Sequence, residues 1–174
     1  NYQRTWGKIR WSSNAGLNYS SLNNIVNNAP RNSTSIGQNY TASLGTQFKK
    51  APNVELGYTY TLNRYDNAGR VSEFSTERPF ARLNWVFLKN FNLSAEYDDY
   101  HFKNLDGSSE NKYAFLKSTL SFQKQDSHWE WSLVGTNLTN TLSLNQDSFS
   151  EFLVSSSAYY VQPRYVLLQL KYEL

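Results

Sequence analysis

Apolar and polar residues alternate strictly through the last seven positions of the chain. Leu168, Leu170, Tyr172 and Leu174 share one parity; Gln169, Lys171 and Glu173 share the other. Successive side chains of an extended chain point to opposite faces, so this is a strand with one apolar and one polar side. On a helix Leu168 and Leu170 would stand about 200° apart and the apolar set would scatter. A soluble domain rarely leaves such a strand as a free edge, because its unpaired backbone invites other chains. A closed membrane barrel removes the edge altogether.

The alternation recurs. Val54, Leu56, Tyr58, Tyr60 and Leu62 oppose Glu55, Gly57, Thr59, Thr61 and Asn63. Tyr40, Ala42, Leu44 and Phe48 oppose Thr41, Ser43, Gly45, Gln47 and Lys49. Ala81, Leu83, Trp85 and Phe87 form a third stripe, and Phe91, Leu93, Ala95 and Tyr97 a fourth. Leu116, Leu120 and Phe122, then Ile9, Trp11, Ala15 and Leu17, then Trp129, Trp131 and Leu133 add three more. With the terminal strand that makes eight segments of period two. Their polar sides carry charge; their apolar sides carry none. A sandwich core would tolerate an occasional charge at its margin. A single Arg or Lys near a bilayer midplane costs about 2–4 kcal/mol, so charge-free stripes are what lipid selects.

Composition agrees. Aromatic residues make up 16% of the 174 residues although mean hydropathy is only −0.65. Aromatics among Ser, Thr, Asn and Gly suit a barrel with a polar lumen and aromatic girdles. No run approaches the ~20 apolar residues of a membrane helix. The absence of cysteine excludes disulfide frameworks, thiolate metal sites and thiol catalysis. Net charge is +3 with dispersed basic residues, so nucleic acid is not an expected partner. Neither methionine nor a basic-then-apolar leader opens the chain; we expect a mature protein or a piece of a longer one.

Short connections are expected around residues 50–53, 89–90 and 125–127, and longer ones around 23–33, 64–72, 104–112 and 144–163. Such alternation matches periplasmic turns and external loops. Pro79 predicts a bulge or the true start of a strand, and Asp99 falls in the apolar phase. Phe48, Phe87, Phe91, Phe122, Trp129, Trp131 and Tyr172 gather near the short turns. Tyr19, Tyr40, Tyr60, Tyr65 and Tyr97 lie toward the long loops, as two interfacial belts would.

The segment Gly135-Thr-Asn-Leu-Thr-Asn140 followed by Tyr159-Tyr-Val-Gln-Pro-Arg-Tyr-Val-Leu-Leu-Gln-Leu-Lys-Tyr-Glu-Leu174 resembles the C-terminus of TonB-dependent outer-membrane receptors, most of all the SusC-like transporters of Bacteroidetes. Asn137-Leu138-Thr139-Asn140 is similar to that family's Asn-Leu-Phe-Asn motif with Thr for Phe. Pro163-Arg164 matches the start of its last strand, and Leu174 replaces the usual terminal aromatic. The resemblance implies that residues 1–174 are the last part of a 22-stranded plugged barrel in the bacterial outer membrane. It further implies a plug elsewhere in the same protein, TonB acting through that plug, and a SusD-like surface lipoprotein as a partner.

No enzyme and no cofactor are expected. His101 and His128 lack metal-ligand spacing, and Asp98-Asp99 with His101 reads as a solvated strand end. Neither a nucleophile elbow nor a phosphate loop occurs. The candidate ligand contacts are loop aromatics: Tyr65, Tyr100, Phe102, Tyr159 and Tyr160. The expected lipid-facing set is Leu56, Tyr58, Leu83, Trp85, Leu168, Leu170, Tyr172 and Leu174. Nutrient uptake, of a glycan, peptide or siderophore, is the leading function. A complete eight-stranded barrel with a structural or adhesive role is the alternative, and a soluble carbohydrate-binding sandwich a third. Small inward residues (Gly16, Ser43, Gly45, Gly57, Thr59) favour a barrel too wide to be filled by its own side chains.

Overall fold

A computed structural model describes residues 1–26, 28–149 and 154–173. The described chain is all β. Its strands are β1 (Tyr2–Trp6), β2 (Ile9–Val26), β3 (Ala29–Thr46), β4 (Asn53–Asn67), β5 (Arg70–Phe87) and β6 (Phe91–Asn104). They continue with β7 (Glu110–Gln123), β8 (Trp129–Thr136), β9 (Ser143–Phe149), β10 (Val154–Tyr160) and β11 (Tyr165–Tyr172). Nine strands form one antiparallel sheet in the order β1-β2-β3-β4-β5-β6-β7-β8-β11. β9 and β10 form a separate hairpin between β8 and β11.

All eight period-two segments lie in the large sheet, which gains β1 as a ninth strand. β1 was not foreseen because five residues with Arg4 in the apolar phase give too short a stripe. The sheet is not closed, since β1 and β11 each pair on one side only. The nine strands do not close into a barrel, and among the described residues the only other sheet is the β9–β10 hairpin.

Three of the four expected long loops are mostly strand instead. The hairpins β2–β3 and β4–β5 stay paired almost to their tips and residues 144–163 hold most of the β9–β10 hairpin, while residues 105–109 form a loop between β6 and β7. Side-chain polarity misleads here, because ladder hydrogen bonds join backbone groups and tolerate Asn, Ser and Thr. At the tip of β4–β5, Ala68 and Gly69 have φ of 50° and 88°, the left-handed pair that a tight hairpin turn needs.

Pro79 neither starts the strand nor bulges it. β5 runs through it, and the register is the same on both sides, Glu77 opposite His101 and Phe80 opposite Asp98. Asp99 causes no slip either, lying opposite Ala114 in an unbroken ladder.

No hydrophobic side chain is buried among the described residues. The accessible surface is 12173 Å², against about 8,800 Å² for a compact monomer of this mass. The molecule is a single layer whose apolar side faces outward from the chain itself.

The in-register pairs put that side on one face. Trp11, Leu44, Leu56, Ala81, Tyr97 and Leu116 form a continuous cross-strand row. Leu120, Leu133 and Leu168 form another. Every described member of the lipid-facing set lies on this face: Leu56, Tyr58, Leu83, Trp85, Leu168, Leu170 and Tyr172. Leu174 lies outside the described residues. Leu56 and Leu168 are 58% and 68% exposed, part of one continuous exposed apolar surface.

Along this face β4, β5, β6 and β7 pass from apolar to charged. Val54 to Arg64, Phe87 to Glu77 and Phe122 to Lys112 each span ten residues before the first charge; Phe91 to Asp99 spans eight. At the near end an aromatic row crosses β5 to β8. Phe87 and Phe91 stack at 5.3 Å, Phe91 and Phe122 lie at 4.8 Å, and Phe122 pairs with Trp131. Trp129 and Tyr172 continue it at 4.7 Å. At the far end Tyr40 pairs with Tyr60 on this face. Tyr65 does not join them. It opposes Ser35 and Ser72 on the polar face, a correction that strand parity requires.

Beyond the ten-residue band the same face is ionic on β4 to β7. Arg64 Nη1 lies 3.0 Å from Glu73 Oε1, and Lys112 Nζ lies 2.9 Å from Glu110 Oε1. His101 Nε2 lies 2.5 Å from Glu110 Oε1, and Lys103 Nζ is 3.9 Å from Glu77. His101 thus sits on a strand among carboxylates, not in a loop. Among the described residues Arg4 is the one charge within the apolar region; its guanidinium stands 5.4 Å over Trp6, two residues from the β1–β2 turn.

Candidate functional site

The opposite face divides along β4. On β2 to β4 it carries small polar residues: Ser12, Asn14 and Gly16 against Ser43, Thr41 and Asn39, and these against Gly57, Thr59 and Thr61. Thr41 and Thr59 hydroxyls are 3.2 Å apart, and Asn39 Nδ2 donates to Thr61 Oγ1 at 2.9 Å. On β5 to β7 the same face is aromatic and basic: Phe74, Arg78, Phe80 and Arg82, then Tyr100 and Phe102, then Tyr113 and Phe115.

Rings lie side by side there because cross-strand neighbours on one face stand about 5 Å apart. Tyr65 stacks on Phe74 at 5.7 Å, and Phe74 meets Phe102 at 5.8 Å. Tyr100 stacks on Tyr113 at 5.0 Å, with Phe115 edge-on to both. The Arg78 guanidinium lies 5.8 Å from the centres of both Phe80 and Tyr100. Arg82 lies 5.2 Å over Phe80 and is held by Asp98 at 2.9 Å. The Phe80 ring lies directly over Gly57, where any Cβ would collide with it. Glycine at 57 lets the ring lie flat against the strand, the arrangement known as aromatic rescue of a strand glycine.

Of the five expected ligand-contacting aromatics, the structure gathers three. Tyr65, Tyr100 and Phe102 belong to this cluster, but as strand residues, not loop residues. Tyr159 and Tyr160 sit on the separate β10, where Tyr160 is 95% exposed, and no ring contact joins either to the cluster among the described residues. Phe74, Phe80, Tyr113, Phe115 and Arg78 were not singled out from sequence. The readable signal was aromatic residues in the polar phase of their strands, which no water-facing surface needs.

The Asn137-Leu-Thr-Asn140 segment is a corner. Asn137, with φ of 50°, is only 4% exposed and ends the strand run of β8. Its Nδ2 donates to Thr141 O and to Gln162 O, both at 2.8 Å, and its Oδ1 accepts from Thr141 N at 3.0 Å. One side chain thereby ties both ends of the β9–β10 excursion. Leu138 N donates to Leu116 O at 2.8 Å, and Thr139 Oγ1 to Ala114 O at 2.6 Å, fastening the corner to β7.

At the outer tips, hydrogen bonds from His101 and Lys112 hold the Glu110 carboxyl down to about 2. The Ser108 side chain and backbone lower Asp106. No cluster of His, Cys, Asp or Glu suited to a metal occurs among the described residues. No family model, curated protein or solved structure matches this chain.

Proposed function

We propose that this chain is a stretch of the wall of an outer-membrane uptake barrel of the TonB-dependent receptor type. The observation that carries the reading is the charge-free band between the aromatic row and the ionic zone. Ten residues at about 3.3 Å each span roughly 33 Å along a strand, or about 25 Å when tilted by some 40°, the height of the apolar belt of such barrels. The aromatic row then lies at one interface and the ionic zone stands clear of lipid. Arg4 fits near the lower interface, where a guanidinium can reach headgroups.

Three further features support a wide, incomplete wall. In hydrocarbon the free edges of β1 and β11 need partner strands. Gly, Ser and Thr along β2 to β4 leave the inner side thin. The Asn137 corner gives a physical reason for the motif that resembles the receptor family. On this reading the polar face lines the lumen, and the aromatic and arginine cluster meets a nutrient in transit. A structural or adhesive eight-stranded barrel gains no support from an open nine-stranded sheet.

The absence of native cysteine makes the test direct. Single cysteines at Leu56, Leu83 and Leu170 in the membrane-embedded protein should react with a lipid-soluble probe and resist a charged maleimide. Cysteines at Asn14 and Thr61, on the polar face, should do the reverse. Equal labelling of both sets, or a protein monodisperse in plain buffer, ends the proposal.

A further inference from the structure

We infer that Arg78 is the anion-recognition point of the polar face and that its ligand is a carboxylate carried on a ring. This deepens the uptake reading and rests on it. Three arginines occupy the central part of that face. Arg10 lies 3.6 Å from Glu55 and Arg82 lies 2.9 Å from Asp98. Arg78 has no carboxylate partner among the described residues. Its one hydrogen bond there is long, 3.4 Å from Nη2 to Thr59 Oγ1. A guanidinium offers five N–H donors in a fork that matches a carboxylate, so most of its capacity is open.

The surroundings fix this cation without neutralising it. Phe80 and Tyr100 flank it at 5.8 Å each, and ring faces attract a cation while leaving its N–H edge free. The nearby carboxylate on this face, Asp98, is already held by Arg82, so an incoming anion meets little repulsion.

The neighbours on either side select the rest of the ligand. Toward β3 the buried Thr59 hydroxyl backs Arg78 and lies 3.2 Å from the Thr41 hydroxyl, which is the one of the pair that a ligand hydroxyl can reach. Toward β7 lie Tyr100 and Tyr113, stacked at 5.0 Å, a platform for a flat ring or the CH face of a sugar. A carboxylate, a ring and hydroxyls on one small scaffold occur in two sources, hydroxybenzoic acids and hexuronic acids. The site chemistry is common to both.

The test uses the membrane-embedded protein and calorimetric titration with 4-hydroxybenzoate and its amide, and with glucuronate and its amide. In at least one pair the acid should bind about tenfold or more tightly than the amide, the scale of a charge-assisted hydrogen bond. Which pair responds identifies the source. Arg78→Gln should abolish the preference, and Arg10→Gln should keep it. No preference in either pair, or a preference that survives Arg78→Gln, overturns the inference. Cysteine labelling at Leu56 and Leu83 on the same preparation separates the two failures. If the lipid pattern holds without acid preference, only the arginine assignment falls; if the pattern is lost, the uptake reading falls first.

Discussion

The outward face contains two stretches that share strands and parity yet differ in everything else. From Phe87 to Pro79 on β5 it is uncharged; from Glu77 to Glu73 it enters a network with Arg64, His101 and Lys103. On β7 the change falls between Ala114 and Lys112. Parity alone decides which face a residue takes. Distance along the strand decides whether that face is apolar or ionic. The lesson is that polarity must be read in two dimensions on such a sheet, across the pleat and along the strand.

The sharpest way to break the comparison is to place the same charge in both stretches. Leu83→Arg, inside the band, should cost about 2–4 kcal/mol in urea unfolding from vesicles. Val71→Arg, on the same strand and face but among the ions, should cost almost nothing. Equal costs would erase the distinction.

The aromatic rim at the other end of the uncharged band should matter less. Phe91→Ala removes two ring contacts, with Phe87 and Phe122, and should cost about 1–3 kcal/mol beyond the lost burial. The ionic stretch should be weaker still. Arg64 and Glu73 are substantially exposed, so a double-mutant cycle on the pair should give less than about 1 kcal/mol.

Acid sharpens the contrast last. Glu110 titrates at about 2 in the folded protein, below the ordinary carboxylate value near 4.3. A depressed pKa means that its stabilisation is complete above the unfolded value and fades as pH falls from about 4.3 toward 2. Amide exchange at the β6–β7 tip should therefore rise across that window, and Glu110→Gln should remove the dependence. Exchange within the uncharged band should not change.

How much of this was legible differs by feature. The eight stripes were readable because a period of two survives in any one-sided strand, whatever solvent it faces. The hairpin extensions were not, because Ser20, Asn23, Asn32 and Ser33 look like loop residues and the ladder that pairs them joins backbone groups. Pro79 looked like a break, yet a proline can sit in a strand where a ladder bond is skipped, and the register continues past it. Tyr65 was assigned by its height along the strand when parity should have decided. The ring cluster escaped notice because its members are spread over four strands and meet only through pairing.

The Asn137 corner has a consequence for how such a chain can change. One buried amide pins both ends of residues 141–162, so the ladder between β8 and β11 does not depend on what lies between them. The outer hairpin is a cassette. It can be lengthened, shortened or exchanged while its two anchor points stay a fixed distance apart, leaving new surface chemistry on an unchanged wall.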